Sequence, residues 1–194
     1  SVFNVVDVGF NAIFLKASKD LLKISKNFDL DFQDLNEFIS LNEKRLLGLF
    51  SEENNNFLSQ DLKTNNNLNI PSITNYFTLF ADLNDEKINK KLIANLKNHN
   101  SDEKYFFSSI DPKHETFNEK RYWRGPVWIN CNWLVYQGLK NKDKEYSNLL
   151  KKRTIDLIEE KGFHEYYSCK NGNVMGANNF SWSASLYLDL VLEN

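Results

Sequence analysis

Apolar residues that return every three or four positions, in one stretch after another, leave this chain little choice but to be helical. Phe10, Phe14, Ala17, Leu21 and Ile24 trace one side of an α-helix predicted from about Val8 to Asn27, with Asp7 as its N-cap. A second helix is expected from near Asp31, with Asp34 in the first turn and Leu35, Phe38, Leu41, Arg45 and Leu49 along one side. Ser72, after Pro71, opens a third through Ile73, Phe77 and Phe80, and Asn84 a fourth through Ile88, Leu92 and Leu96. Gly125-Pro126 starts a fifth, because a proline at the first helical position gives up only an N–H that has no helical partner. Asp143 caps a sixth that ends at Gly162, and Ser181 or Ser183 starts the last, which reaches about Leu192. None of the 3 prolines falls inside a helix in this scheme.

Three connections are long. Within residues 53–71, "FLSQDLKTNNNLNI" alternates around an asparagine cluster and predicts a small hairpin. Residues 163–180 predict another, with "HEYYSC" and "VMGA" flanking Asn171-Gly172, a two-residue turn signal. Residues 100–121 carry no helical period. Loops beyond about 12 to 15 residues in a compact domain are usually functional or disordered.

At 194 residues the chain has room for one domain with a real core, and a single domain over 1–194 is expected. A net charge of −2, from 24 basic and 26 acidic residues, gives no footprint for nucleic acid and points to a neutral or weakly charged partner. Apolar runs fall short of the roughly 18 residues that a membrane span needs, so no membrane association is expected. Cys131 and Cys169 form no short-spaced pair and no cysteine–histidine cluster suggests zinc, so both read as free thiols, no metal or cofactor is expected, and a reducing, cytoplasmic-type compartment is favoured.

Chemistry concentrates in two segments. "RYWRGPVWINCNWLVYQGL", residues 121–139, holds Trp123, Trp128 and Trp133, three of the 4 tryptophans. Flat rings suit the apolar face of a sugar, while Arg124, Asn130 and Asn132 offer partners for hydroxyls. A tryptophan near a helix start is as readily a core residue, and Trp133 sits deep enough in the helix to be one. The other segment, "GFHEYYSCKNGNVMGANNFSW", puts one carboxylate, Glu165, among aromatic side chains. In an extended strand Phe163, Glu165 and Tyr167 share one face, and His164, Tyr166 and Ser168 the other. A carboxylate flanked by rings suits a general base; an exposed glutamate at a strand edge is the plainer alternative.

The order of "YWRGPVW", "NWLVYQGL", "GFHEYY" and "NGNVMGANNFSWSASLYLDL" resembles the C-terminal half of bacterial members of glycoside hydrolase family 63, the mannosylglycerate and glucosylglycerate hydrolases and related α-glucosidases. "VVDVGFNAIF" and "NIPSITNYFTLFADL" extend the likeness over nearly the whole chain. The resemblance implies an all-α fold, the C-terminal half of an (α/α)6 toroid with short β-hairpins in its loops. It also implies an inverting hydrolase acting on an α-glycosidic substrate, with an aspartic acid as general acid and a glutamate as general base. Glu165 matches that base, and Tyr122, Trp123 and Trp128 match the aromatic pocket wall; Arg124 and Tyr167 join them as candidate substrate contacts.

The family's general acid lies upstream of "VVDVGFNAIF", where this chain begins; Asp7 reads as a helix cap and Asp111, before Pro112, as a turn residue. The chain is therefore expected to be part of a larger catalytic domain, with Ser1 not its natural start. Alone it should lack turnover and should associate through open apolar helix faces, with its missing N-terminal half or with itself. A carbohydrate or glycosylated small molecule is the expected ligand. Two other readings stand beside it: a sugar epimerase on the same toroid, for which His99, His114 and His164 are the available histidines, and a sugar-binding or assembly module that keeps the tryptophans and dispenses with Glu165.

Overall fold

In the computed structural model, residues 4–28, 30, 32–99 and 104–193 are described. Among them are seven helices: α1 (Val8–Asn27), α2 (Gln33–Leu47), a 3-10 helix (Ile73–Thr78), α3 (Glu86–Asn98), α4 (Ile129–Leu139), α5 (Lys144–Lys161) and α6 (Ser181–Leu192). The chain forms two compact units, one of Ser1–Asn69 with Thr74–Asn95 and one of Ile70–Ile73 with Leu96–Asn194.

In the first unit α1 has the predicted bounds, and the Asp7 carboxylate accepts from the Phe10 N–H at 2.6 Å. Its packed face is not the predicted one. Val8, Gly9, Ala12, Leu15 and Ser18 are buried, whereas Phe10 is 73% and Ile24 52% exposed, with Phe14 and Leu21 also outward. At Gly9 the approach is close: a Cβ there would stand 2.8 Å from the Thr74 Cβ, so no side chain fits where α1 meets the 3-10 helix at that position. α2 repeats the pattern, burying Ile39 and Leu46 while Phe38, Leu41 and Arg45 face out. Phe14 and Phe38 meet edge to face at 5.6 Å on that outer side. The expected cap Asp31 lies outside the described residues, and α2 begins without a side-chain cap.

Ser72 does not open an α-helix. It pairs with Ile110 in a β-bridge, and the Ile73 N–H donates to the Ser109 carbonyl at 3.1 Å, so only the short 3-10 helix follows. α3 is capped by Asp85 rather than Asn84, its carboxylate accepting from the Ile88 N–H at 2.9 Å. The hairpin expected in 53–71 is present. Counting β1 (Val5–Val6), β2 (Phe50–Ser51), β3 (Asn56–Phe57), β4 (Ser59–Asp61) and β5 (Asn67–Leu68), an antiparallel sheet runs β1-β4-β5 with Ser59 opposite Leu68, and β2 pairs β3 separately. Leu15, Leu46, Phe57, Tyr76, Leu79 and Leu92 are buried in this unit.

In the second unit α4, α5 and α6 pack on one another. Asp143 caps α5 by accepting from the Tyr146 N–H at 3.1 Å, and Gly162 closes it with φ +83°. α4 starts later than the Gly125-Pro126 signal suggests. Val127 is extended, bridging Ser108 on one side and exchanging N–H···O bonds of 2.8 and 3.0 Å with Tyr167 on the other, so the helix waits until Ile129. The hairpin of β6 (His164–Tyr167) and β7 (Val174–Asn178) is present, but its turn is wider than two residues. Ser168 draws it out: its hydroxyl accepts from the N–H groups of Lys170 and Asn171, and its carbonyl from Gly172 at 3.0 Å. Val127, Ile129, Leu157, Ile158, Tyr167 and Cys169 form the core here.

Candidate active site

Glu165 is presented by a fault in the ladder. β6 pairs with β7 through His164–Asn178, Tyr166–Met175 and Tyr167–Val174, with a bulge between His164 and Tyr166. The extra residue is on β7, where Met175 to Asn178 lies opposite the shorter run from Tyr166 back to His164. Glu165 and Tyr166 both reach Tyr122: the Tyr122 hydroxyl donates to Glu165 Oε1, and the Tyr166 ring lies 5.2 Å from that of Tyr122. This corrects the expectation that Tyr166 points away from Glu165. Gly176 makes room for the carboxylate. Its φ is +74°, and a Cβ there would stand 2.5 Å from Glu165 Oε2 and 2.7 Å from both the Glu165 Cβ and a Tyr166 ring carbon. The same Oε2 accepts from the Ala177 N–H at 3.0 Å. The hydrogen bond to Glu165 raises the Tyr122 phenol above its usual pKa, keeping the proton on the tyrosine.

Around this pair the rings are stacked in layers. Trp128 lies between Trp123, with centroids 4.3 Å apart and planes 12° apart, and Tyr166, at 4.9 Å and 29°. Tyr122 stands edge-on to all three, and its carbonyl accepts from the Trp128 indole N–H at 3.0 Å. Trp123 is 48% exposed and Tyr122 46%, whereas Trp128 is only 2% exposed. Trp123 and Tyr122 therefore have ring surface to offer a ligand, while Trp128 spends its faces on its neighbours.

The other candidates are tied differently. Arg124 is exposed, and its Nε–H donates to the Thr116 carbonyl at 2.8 Å, bracing the 111–124 loop; Gly125 lets that loop close, since a Cβ there would fall 2.4 Å from the Asn118 carbonyl oxygen. Tyr167 is fully buried, its hydroxyl donating to the Gly162 carbonyl at 2.7 Å and accepting from the His164 N–H at 3.0 Å. Asn132 is buried too, accepting from the Phe107 N–H at 2.7 Å and donating to Phe106 O and Thr154 Oγ1, so it serves the core rather than a hydroxyl ligand. Trp133 is half-buried and donates to Asp189 at 2.5 Å, linking α4 to α6. Tyr166 is a member of the ring cluster that residue type alone does not single out; the available signal is Gly176, since a glycine inside a strand pattern marks a bulge or a close approach.

A cleft of about 640 Å³ occurs in the first unit, lined by Asn11, Asn42, Arg45, Gln60 and Asn67 among others; it contains none of the aromatic or acidic residues described above. We place the candidate site at Glu165, where an acceptor and open ring surface coincide. Among the described residues no group of three or more His, Cys, Asp or Glu could hold a metal ion, and no helix is long and apolar enough to cross a membrane.

Comparison with solved structures identifies the class. The chain superposes on a GH63 mannosylglycerate hydrolase from Thermus thermophilus, solved in complex with Tris and D-glycerate, with a TM-score of 0.92 and 34% identity over 96% of this chain and 46% of that one. It also shares its fold, at TM-score 0.74 and 17% identity over 93% of its length and 36% of the other chain, with neutral trehalase from Saccharomyces cerevisiae. The fold is thus the all-α toroid class of glycosidases, with short strands in the connections. More particularly, residues 1–183 match the model of the mannosylglycerate hydrolase MGH1-like glycoside hydrolase domain, and the chain belongs to that family. A mannosylglycerate hydrolase from Thermus thermophilus is 35% identical over 191 residues, 97% of this chain and 46% of that protein. The chain spans about half the length of the curated relatives it matches.

Proposed function

We propose that this chain supplies the general base and part of the sugar pocket of an inverting α-glycosidase, as one part of a larger (α/α)6 catalytic domain. The observation that carries the reading is the Glu165 carboxylate at the edge of the Tyr122–Trp123–Trp128–Tyr166 cluster, with both oxygens held and half-exposed rings beside it. Glu165 takes a proton from water as that water's oxygen bonds to the anomeric carbon from the face opposite the leaving group. The glycosidic bond breaks, and its oxygen takes a proton from a carboxylic acid roughly 6.5 to 9.5 Å from the base. That acid is expected from the remainder of the family domain. Trp123 and Tyr122 supply ring surface to the sugar and Arg124 a cationic edge; Trp128 and Tyr167 hold the wall from behind.

The relatives are named for hydrolysis of mannosylglycerate and glucosylglycerate, and a mannoside or glucoside of a small hydroxy acid is the substrate we propose. The outward apolar side of α1 and α2, with Phe10, Phe14, Leu21, Ile24, Phe38 and Leu41, is where we expect the remaining half of the domain to pack. A sugar-binding module without catalysis would use the same exposed rings. The epimerase reading finds less support, because the His164 ring packs at 6.2 Å against buried Tyr167.

The test joins this chain to the complementary half of a family member and follows mannosylglycerate by NMR. Turnover with initial release of the β-anomer, absent from the 194-residue chain alone, is expected. Glu165→Gln should abolish turnover and preserve binding, since general base catalysis contributes roughly 10²- to 10⁴-fold. Full activity in Glu165→Gln, or release of the α-anomer first, would overturn the reading.

A further inference from the structure

A carboxylate that activates water must be aimed as well as ionised, and here the aiming is done by groups whose rings also build the pocket wall. Oε1 of Glu165 receives the Tyr122 hydroxyl and Oε2 the Ala177 N–H, so the group is held at both ends and cannot turn about its last torsion without giving up a donor. Tyr122 in turn has little freedom. Its ring is met edge-on by Trp123 at 5.7 Å, Trp128 at 4.6 Å and Tyr166 at 5.2 Å, each within 10° of perpendicular, and its backbone carbonyl is held by the buried Trp128 indole.

We infer that Tyr122 is a positioning residue for Glu165, and that Trp128 and Tyr166 form the clamp that fixes it. The inference rests on the reading of Glu165 as base. With one acceptor direction on each oxygen occupied, the remaining ones are left for water, and a sugar hydroxyl that competed for the Tyr122 proton would loosen the base it needs. Tyr122 donates and keeps its proton through the cycle; the proton taken from water stays on Glu165 until product leaves. Trp128 therefore acts two steps removed from the substrate, through Tyr122, which accounts for a tryptophan buried in the middle of an otherwise open ring cluster.

The test has two arms that fail separately. In the first, the 194-residue chain carries ¹³C at the tyrosine ζ position, Tyr122→Phe identifies the Tyr122 resonance, and its titration is followed in the unaltered chain and in Glu165→Gln. A resonance that titrates above the ordinary tyrosine value of about 10, and moves back toward it in Glu165→Gln, is expected. Titration at the ordinary value, unmoved by Glu165→Gln, overturns the proposal whether or not the chain belongs to a hydrolase. In the second arm Tyr122→Phe is placed in the reconstituted enzyme. Loss of a hydrogen bond to a charged group should lower kcat about 10- to 100-fold with KM within about twofold. A raised KM with unchanged kcat would make the Tyr122 hydroxyl a ligand of the sugar rather than of Glu165 and overturn the proposal. Inactivity of the reconstituted enzyme bearing native Tyr122 would count against the hydrolase reading alone, and the titration would still decide.

Discussion

Gly176→Ala strikes the hairpin where it is least able to yield. The backbone there has φ +74°, a left-handed conformation that costs an alanine roughly 1 to 2 kcal/mol. The new methyl would stand 2.5 Å from Glu165 Oε2, which can swing away at the loss of the Ala177 N–H···O bond, an exposed contact worth about 1 kcal/mol. It would also stand 2.7 Å from the Glu165 Cβ and from a Tyr166 ring carbon. Those atoms are fixed to the backbone and to the ring stack, so β6 and β7 must part, at a further ~1 kcal/mol or more by the usual cost of overpacking. The sum is about 3 kcal/mol, which with a urea dependence near 2 kcal/mol per molar lowers the unfolding midpoint by about 1.5 M. Tryptophan fluorescence in urea measures it, with Ala177→Gly as a control that adds no methyl. The Tyr122 resonance should also fall toward the ordinary tyrosine range as Glu165 is pushed away. A midpoint within about 0.3 M of the unaltered chain, with Tyr122 titrating as before, would refute the reasoning, because it would mean the hairpin has room that the bulge geometry denies it.

Tyr167→Phe leaves the Gly162 carbonyl and His164 N–H without their buried partner and should destabilise the chain by about 1 to 3 kcal/mol in the same assay; an unchanged midpoint would show that the hydroxyl does not bridge them. Burial holds the His99 imidazole below its usual pKa, so the unfolded chain binds a proton that the folded chain refuses. Stability should then fall as pH drops below about 6.5, by up to about 1.4 kcal/mol per pH unit, and His99→Gln should flatten that limb; urea midpoints between pH 7 and 5 measure it, and a flat limb in the unaltered chain would refute it. The Asp143 carboxylate, held below its usual range chiefly by its hydrogen bond to Lys97, loses its contribution only as pH falls below about 4, outside that window. Cys131 and Cys169 are buried, and burial pushes the Cys131 thiol up to about 12, so a disulfide reagent should find no thiol in the native chain and 2 in urea. Reaction of either cysteine without unfolding would contradict this.

Helix bounds were legible at α1 and α5, where a local device sets them, and missed by one residue at α3, where Asp85 and not its neighbour Asn84 is the cap. Asp7, Asp143 and Gly162 satisfy orphan N–H and C=O groups through neighbours a few residues away, so α1 and α5 follow from the sequence to the residue. Faces were not legible, because periodicity gives the stripe and not the partner. On α1 the bulky stripe loses to Val8, Ala12 and Leu15, the side on which Gly9 lets the 3-10 helix come close. Pro126 misled for a related reason: its neighbour Val127 has strand partners on both sides, at Ser108 and Tyr167, far away in sequence. In the site, Glu165 and Tyr122 stood out as residue types, but their contact joins two segments far apart in sequence, and it is Tyr166 rather than Tyr167 that stands among the rings, because Tyr167 is held in the core by Val127 and Gly162.

α1 separates two properties that usually travel together. Phe10, Phe14, Leu21 and Ile24 point outward while Val8, Gly9, Ala12, Leu15 and Ser18 make the inner seam, so the residues that make its surface apolar are not the residues that hold its fold. Glutamate or lysine at Phe10 and Ile24, both more than half exposed, should make that surface polar while leaving the Val8–Ala12–Leu15 seam untouched.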